Sequence, residues 1–450
     1  MVVIMELKKY KNKKKIKMYI LIFMIFLLIS IGGYIYYRSY ALYEDIKNFD
    51  MINGTVEDPG DIYFAYYIDD EISRNIPLQS TGYTLDEEKS NCTNNVTVSF
   101  DYSIWEVKLN YQNYNTTTNT RTKCTLYFYK NKTLEKLSQN ENIYDIEPDF
   151  KQNACDYNCD TDEAGIFRTY DNDGISYYYR GSVKNNYVKF ANFYWRILRI
   201  NGNGSIRLIY DGTTAHDYHE VSADKVIANV AFNTSKDDNM YVGYMYTKGE
   251  VHGLSTSSNA KTTLDNWYQA NLLNYQNFLD VNAGFCGDRS LINSKNETTG
   301  INQISTFYTG YGRSITSTPT LICENMSDYY TVSSATKGNK ALTYPIGLLT
   351  LDDVMFAGYA GGVTDGTEYI QKENKTNFLT SGVHLHLMTP DFFKVPFGYG
   401  TEIGATIYVL TSRIDDSWVT NPFGVRPVVN IRSDVSITGS GTMFDPYVVN

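Results

Sequence analysis

The sequence predicts an α+β protein, in which a few helices are inserted among many antiparallel strands. Apolar and polar residues alternate in the segments 96–100, 105–109 and 124–128, and turns rich in Asn, Thr and Gly separate such segments. This alternation is typical of strands that bury one face. After Thr263 and after Thr350, apolar residues recur at helical spacing instead. Strands that surround a few helices indicate the α+β class.

The first element is a lysine-rich tail followed by a long apolar run. Residues 1–17 contain seven lysines, and residues 18–37 contain no charged side chain. About 20 apolar residues in a helix span the ~30 Å core of a bilayer, and flanking lysines keep the N-terminus cytoplasmic. We therefore predict a cytoplasmic tail (1–17), a transmembrane helix (18–37) and an extracellular body. A cleaved signal peptide is the alternative, although Ser39-Tyr40-Ala41 is a poor cleavage site.

The charge distribution narrows the range of partners. The chain carries a formal net charge of −10 although its tail is strongly basic, so the exported body is acidic. Nucleic acid is therefore an unexpected partner, because phosphate binding depends on basic patches. The lysines of the tail are placed to contact anionic lipid headgroups. Residues 38–57, which are polar and mixed in charge, are predicted to form a stalk.

Residues 58–131 are predicted to form a small antiparallel module that resembles a β-sandwich. The six cysteines of the chain fall into three sequential pairs, and an even number in an exported chain indicates disulfides. We predict the pairs Cys92–Cys124, Cys155–Cys159 and Cys286–Cys323. The first would tie the two edges of the small sheet. A metal site is the rival interpretation, but the sequence contains no CxxC motif.

Residues 132–164 are predicted to be a linker that contains an acidic segment. A calcium-binding loop needs oxygen ligands at positions 1, 3, 5 and 12 and a glycine at position 6. In a loop starting at Asp160, residues Asp162, Gly165 and Asp171 fit, whereas Ala164 occupies position 5. We favour a solvated acidic linker, and the question whether calcium binds residues 156–173 stays open.

Residues 165–450 are predicted to form the second domain, the head. Its clearest feature is a hairpin, with one strand at 193–200, a return strand at 206–210 and the sequence Asn-Gly-Asn-Gly between them. The chain returns to strands at 405–410 and 424–431.

Two helices stand out within the head. Thr263 is predicted to cap the first. Thr350 and Asp353 form a start similar to a capping box for the second, which Gly358 is predicted to end.

Five stretches of the head resemble a large group of uncharacterised, membrane-anchored surface proteins of low-GC Gram-positive and related bacteria. They span most of residues 165–450, and the small module resembles the Cys-containing β-units that these proteins carry before that domain. The stretches are 176–181 (SYYYRG), 187–211 (YVKFANFYWRILRINGNGSIRLIYD), 284–290 (GFCGDRS), 344–358 (YPIGLLTLDDVMFAG) and 424–431 (GVRPVVNI).

A more distant similarity concerns the fold. Leu349-Thr350 with Asp353 at a helix start, and Gly424-Val425-Arg426 late in the chain, are similar to the C-type-lectin-like fold of formylglycine-generating enzymes. The resemblance implies a scaffold that displays variable loops. It does not carry over the catalytic activity, because those enzymes use a late pair of cysteines and no cysteine follows Cys323. The Trp-Asn-Asp motif with which related lectins hold calcium and sugar is absent too.

The histidines are candidates for metal binding. His384 and His386 share one face of a predicted strand, a spacing that zinc sites use. His216, His219 and Glu220 would add ligands if the fold brought them near. We favour surface or packing roles for these histidines, and we predict neither a metal nor a cofactor.

Carboxylate doublets are the candidates for acid–base chemistry. A glycosidase needs two carboxylates facing each other across a cleft, and adjacent residues on a strand point to opposite faces. The second doublet is better explained as charge at a helix N-terminus. The sequence contains no GxSxG motif and no phosphate loop. The doublets are Asp237/Asp238, Asp352/Asp353 and Asp415/Asp416.

The segment from residue 390 to 418 is rich in aromatic and acidic residues, and in lectin-like folds this part carries the ligand loops. We predict that Tyr399, Asp415, Asp416 and Trp418 contact a ligand, because exposed aromatic rings and acids suit a sugar ring or a protein partner. The alternative is that the aromatics belong to the core and the acids to turns.

These observations together predict a single-pass cell-surface protein with a cytoplasmic N-terminus, whose body binds a glycan or a protein without catalysis. An extracellular envelope hydrolase, with or without a metal, is the alternative. A structural envelope component is the third class.

Overall fold

The computed structural model describes most of the chain from residue 62 onward. The predicted tail, transmembrane helix and stalk lie outside the described residues, as do Tyr399, His219 and the pair Cys155–Cys159. No helix of the described part is long and apolar enough to cross a membrane. The described residues are 62–77, 83–86, 89–101, 106–114, 121–130, 137, 143–154, 164–217, 220–292, 300–333, 337–361, 363–364, 369–370, 373–374, 377–395, 403–433 and 435–449.

The α+β class is confirmed, because the described residues form many strands and few helices. The small module contributes β1 (Tyr63–Ile68), β2 (Glu71–Ser73), β3 (Tyr83–Leu85), β4 (Asn91–Cys92), β5 (Thr97–Asp101), β6 (Glu106–Asn110) and β7 (Lys123–Lys130). Five of these strands form one sheet in the order β2-β1-β7-β3, with β4 also on β7, and β5 pairs with β6 separately.

The prediction of an antiparallel module is wrong at the centre of this sheet, because β1 runs parallel to β7. Parallel neighbours need a long crossover between them, and β2 to β6 supply it. The predicted disulfide Cys92–Cys124 is confirmed. It joins directly opposed residues of the neighbouring strands β4 and β7, and does not tie the two edges of the sheet. The module buries its own small core, which includes Phe100, Leu126 and Phe128.

The head consists of two larger sheets and three described helices. The helices are α1 (Asn259–Asn271), α2 (Thr309–Thr316) and α3 (Leu351–Ala357). One strand of the larger sheet, β8 (Ile143–Tyr144), lies before the head, within the predicted linker, and pairs with the first strand of the head. The strands of the head up to α3 are β9 (Gly165–Asp171), β10 (Gly174–Arg180), β11 (Tyr187–Phe190), β12 (Phe193–Ile200), β13 (Ile206–Gly212), β14 (Ala228–Ala231), β15 (Met245–Tyr246), β16 (Thr256–Ser257), β17 (Phe285–Cys286), β18 (Thr306–Phe307), β19 (Tyr329–Tyr330) and β20 (Ile346–Gly347). The later strands are β21 (Val363–Thr364), β22 (Tyr369–Ile370), β23 (Leu385–Lys394), β24 (Gly404–Leu410), β25 (Ile414–Trp418), β26 (Pro422–Val425), β27 (Val428–Ile431), β28 (Ile437–Thr438) and β29 (Tyr447–Val449).

The two sheets of the head share one hydrophobic core. The larger has the order β20-β27-β13-β12-β10-β9-β8, and β11, β28 and β29 extend it beside β12. The smaller has the order β14-β26-β23-β24-β25, with β18 on β23. Trp195 and Leu208 of the larger sheet and Leu387 and Ile407 of the smaller belong to the same buried cluster. The predicted disulfide Cys286–Cys323 is confirmed in the head.

The predicted hairpin is present as β12 and β13. Its turn tolerates no larger residue at Gly202, because a Cβ atom there would come within 2.2 Å of the Gly174 backbone nitrogen. The start of α3 is also as predicted. Thr350 and Asp353 form a complete capping box, and Gly358 ends the helix in the left-handed conformation at φ 116°.

The prediction that Thr263 caps α1 is wrong. The helix begins earlier, at Asn259, and the Ser258 side chain accepts a hydrogen bond from the Lys261 backbone nitrogen at 3.1 Å. Thr263 lies inside the helix, where its hydroxyl donates to the Asn259 carbonyl at 2.8 Å. The first turn of α1 is nearly all polar, so the spacing of apolar residues could not reveal it.

We expect Ser258→Ala to lower the free energy of unfolding by about 1 kcal/mol, because the first turn loses the acceptor for one backbone N–H group. Thr263→Ala should change stability by about 0.5 kcal/mol or less, since alanine is a good helix former. Urea denaturation of both variants measures the difference. A larger loss in Thr263→Ala than in Ser258→Ala would contradict this assignment of the cap.

Candidate functional site

Three of the four predicted ligand-binding residues lie in β25, which pairs only with β24 among the described strands. Asp416 is opposite Tyr408 and Trp418 is opposite Thr406, so both side chains lie on one face of the sheet. Asp415 lies on the other face because successive strand residues alternate. The structure thus brings Asp416 and Trp418 together and separates Asp415 from them.

The Trp418 ring is half-buried and covered. The Lys236 ammonium nitrogen lies 4.1 Å from the ring centre, a cation–π contact. The ring also lies against Gly404, where a Cβ atom would come within 2.1 Å of it. A sugar could stack on this ring only by displacing Lys236. Asp415 is engaged as well, in a surface ion pair of 3.2 Å with Arg413.

Sequence reasoning missed Asp391, a buried carboxyl on β23. Its side chain accepts a hydrogen bond from the Thr406 hydroxyl at 3.2 Å. Burial raises the pKa of Asp391 to about 8, and the nearby Asp416 carboxylate adds to the effect. Asp391 is therefore mostly protonated at neutral pH. The only signal in the sequence is one acidic residue within the otherwise apolar and aromatic end of β23.

The described histidines contact neighbouring side chains or backbone of the head, and His252 is paired with Asp328 at 2.9 Å. The Nε2 atom of His386 lies 2.7 Å from the Val230 carbonyl oxygen, and burial lowers the pKa of His386 to about 4, so the ring is neutral. His384 is exposed, and both rings contact Phe423. The buried His216 has its Nδ1 atom 2.7 Å from the Asp211 carbonyl oxygen. Within the described ranges, no cluster of three His, Cys, Asp or Glu side chains could hold a metal ion.

A polar cleft opens in the head between the β12–β13 turn, α2 and the start of α3. Its empty space is about 490 Å³, including the open mouth. Three arginines and several carboxylates line it, and these are mostly paired with each other. Charged groups in the lining include Arg199, Arg207, Arg313, Asp171, Asp288 and Asp352.

Asp352 and Asp353 lie in the first turn of α3, as predicted for charges at a helix N-terminus, and both are also paired with arginines. The Nε atom of Arg313 lies 2.8 Å from the Asp352 carboxylate. A second nitrogen of the same guanidinium group, Nη1, lies 2.7 Å from Asp288. Asp353 forms an ion pair with Arg199. Burial is the largest single influence and opposes the charged form of Asp353. The charges of Arg199 and Arg207 and the hydrogen bond from the Thr350 backbone nitrogen together outweigh it and hold the pKa of Asp353 below its usual value. Arg313, Asp288 and Asp352 therefore satisfy one another, whereas Asp171 accepts hydrogen bonds from the backbone nitrogens of Gly174 and Gly202.

The small module has a different surface, on the outer face of its sheet. Tyr67 on β1 is directly opposite Tyr127 on β7, and their rings stack with centres 4.8 Å apart. Alternate residues of the same strands, such as Phe64 and Leu126, point into the core of the module. Ile72 on β2 is opposite Tyr67 and is 77% exposed.

A charged pair lies beside the two rings. The Lys89 ammonium nitrogen is 4.3 Å from the centre of the Tyr127 ring and 5.0 Å from that of Tyr129. It forms an ion pair with Asp70, which also accepts a hydrogen bond from the Tyr129 hydroxyl. The bond from Lys89, followed by that from Tyr129, holds the pKa of Asp70 below its usual value. We call the set of Ile72, Tyr67, Tyr127, Lys89, Tyr129 and Asp70 the tyrosine row.

No family model matches this sequence. Neither the curated proteins nor the solved structures include a significant match. Any proposed function therefore rests on the sequence and structure of this chain alone.

The tyrosine row was missed by sequence reasoning, although part of its signal is visible. The segment YFAYYI in β1 has aromatic residues on both faces, whereas a half-buried strand normally has polar residues on one. Aromatic residues at Tyr63 and Tyr67, out of phase with the core residues, could have indicated an outer aromatic surface.

Proposed function

We propose that the protein is a single-pass cell-surface protein whose extracellular body binds a glycan or a protein ligand. The tyrosine row is the observation that carries this proposal. It presents aromatic side chains, an ion pair and an exposed Ile72 on a sheet face that is not used for the core of the module. Tyrosine offers a large contact area with a hydroxyl tip at a low cost in side-chain entropy, which suits recognition surfaces.

The placement at the cell surface rests on the basic tail and the apolar run at residues 18–37. The disulfides Cys92–Cys124 and Cys286–Cys323 support it, since disulfides persist in oxidising compartments. In this proposal the head has the C-type-lectin-like fold that its sequence resembles. The strand that carries Asp416 and Trp418 is a second surface for ligand contact, reached once Lys236 moves aside.

Binding is favoured over the hydrolase alternative by the state of the carboxyl groups. A hydrolase needs an accessible acid and base facing a substrate. In the cleft, Asp288 and Asp352 are engaged with Arg313. Asp391 has the raised pKa of a general acid, but its side chain is buried at 2% exposure.

The double variant Tyr67→Ala/Tyr127→Ala should weaken ligand binding by about tenfold or more, equivalent to ~1.4 kcal/mol. The full chain, purified in detergent, would be screened against a glycan array and against fibrinogen, fibronectin, collagen and mucin. Tyr246→Ala, a half-buried tyrosine of the head, is the matched control and should bind as the native chain does.

Two results would overturn the proposal. One is the absence of binding to every glycan and protein tested. The other is binding that the double variant leaves unchanged, with its fold verified by circular dichroism.

In parallel, protease added to intact cells should remove a C-terminal tag and spare an N-terminal one.

A further inference from the structure

We propose that the ligand of the tyrosine row is an uncharged polysaccharide, whose hydroxyl groups replace water on Asp70, Lys89 and the tyrosine hydroxyls. This inference rests on the proposed binding function and adds its ligand class and mode of recognition.

The tyrosine row offers ring edges and hydroxyl tips to a ligand. One face of the Tyr127 ring stacks on Tyr67 with the planes only 18° apart, and Lys89 lies over the ring as well. The rings therefore stand side by side on the sheet and hold each other in place. Among the described residues, no hydrogen bond uses the hydroxyls of Tyr67 or Tyr127, so both are available to a ligand. Such a preorganised set of hydrogen-bonding groups loses little entropy on binding.

The ion pair of Lys89 and Asp70 favours a sugar over a protein or a charged polymer. Both side chains are largely exposed, at 43% and 62%. A protein partner covering them would remove water from two charges, which is costly, and the cores of protein interfaces are depleted of charged residues. A sugar exchanges its own hydroxyls for that water and keeps both charges hydrogen-bonded. Because the two charges cancel, the pair gives no net attraction for a charged polymer.

An apolar side chain, Ile72, lies at the end of the row. Ile72 is 77% exposed and is directly opposite Tyr67. An isolated exposed isoleucine beside hydrogen-bonding groups matches the C–H surface of a sugar ring, which is flanked by hydroxyls. A polysaccharide lying across β2, β1 and β7 would contact Ile72 and the two tyrosine hydroxyls in succession.

The test is affinity electrophoresis of the full chain in detergent through gels containing one polysaccharide each. The uncharged probes are mannan, dextran, galactan and a soluble β-glucan, and the charged probes are hyaluronan and heparin. At least one uncharged polysaccharide should retard the protein. Tyr67→Phe/Tyr127→Phe, which keeps the ring stack and removes only the hydroxyls, should weaken this binding by about fivefold or more. Asp70→Asn and Ile72→Ser should each weaken it about threefold.

Tyr246→Phe is the control and should migrate as the native chain does. Retardation by charged polysaccharides alone would overturn the inference, as would retardation that the Phe/Phe variant leaves unchanged. Binding to one of the proteins of the first screen, with no retardation by an uncharged polysaccharide, would overturn this inference and leave the proposed binding function intact. The absence of all binding would remove both.

Discussion

Replacing Asp391 by Asn should stabilise the protein at neutral pH by up to roughly 4 kcal/mol, at about 1.4 kcal/mol per pKa unit. In the folded protein, burial raises the pKa of Asp391 from 3.8 to about 8. The folded state therefore keeps a proton that the unfolded state has released, and the free energy of unfolding falls as the pH rises from about 4 to about 8. Asparagine is neutral in both states and removes this dependence.

Urea denaturation of the native chain and Asp391→Asn at pH 5, 6, 7 and 8 measures the effect. His386 acts in the opposite direction below pH 6.5, because its pKa is lowered to about 4 by burial and protonation therefore favours unfolding. The comparison is cleanest between pH 6.5 and 8. Asp445→Asn is the control, since Asp445 is an exposed carboxyl that does not contribute to the pKa of Asp391. Parallel stability curves for native and Asp391→Asn would show that Asp391 is ionised in the folded protein.

The features that the sequence predicted correctly depend on local patterns. Alternating residues placed strands β5, β6 and β7 of the module, and the sequence Asn-Gly-Asn-Gly placed the β12–β13 turn. The capping box of Thr350 and Asp353 needs residues only three positions apart. The two described disulfides were predictable because each joins two cysteines that have no other cysteine between them in the sequence.

The features that it did not predict depend on contacts between distant segments. The parallel pairing of β1 with β7 joins strands that lie far apart in the sequence. The stretch 424–431 was predicted as a continuation of strand structure, but it divides into β26 and β27, which belong to different sheets. Arg426 lies at the crossing between them and forms a buried ion pair with Asp211 at 2.7 Å. Proline at 427 is consistent with this break, since it cannot donate to a sheet hydrogen bond.

The surroundings of the candidate site residues also depend on contacts between distant segments. Asp415, Asp416 and Trp418 were selected for their residue type and position, but only the fold shows that Lys236 covers Trp418. Nothing near Asp391 in the sequence indicates that Thr406 and Asp416 will be its neighbours. Whether a charged residue is paired, buried or exposed depends on the register of neighbouring strands. The local sequence pattern does not specify that register.

Removal of the Asp353 carboxylate, which lies behind the cleft and pairs with arginines of its lining, should strongly destabilise the protein. Asp353 is buried and forms an ion pair with Arg199, and its second oxygen lies 3.8 Å from Arg207. The same oxygen accepts a hydrogen bond from the Thr350 backbone nitrogen at 3.0 Å. Without it, the buried guanidinium groups of Arg199 and Arg207 lose the carboxylate that lies near both. Burial, and then the Arg199 charge, already lowers the pKa of Arg207 to about 10.

We therefore expect Asp353→Ala to lower the free energy of unfolding by roughly 3–5 kcal/mol, the usual cost of breaking a buried ion pair. Loss of the helix cap adds about 1 kcal/mol. Asp353→Asn retains a hydrogen-bond acceptor for the cap, so the difference between the two variants separates the cap from the charge. Asp415→Ala, which breaks an exposed pair, should cost less than about 1 kcal/mol.

Urea denaturation at pH 7 measures all three variants. The triple variant Arg199→Met/Arg207→Met/Asp353→Leu tests the cause, because it removes the stranded charges together with their partner. It should recover much of the stability that Asp353→Ala loses, since apolar replacement of a buried ionic cluster is often neutral or stabilising. If the triple variant is instead less stable than Asp353→Ala, the arginines contribute mainly through other contacts. The hydrogen bond from Arg207 to the Gly284 carbonyl and its packing on Phe285 are the contacts that would then explain the loss.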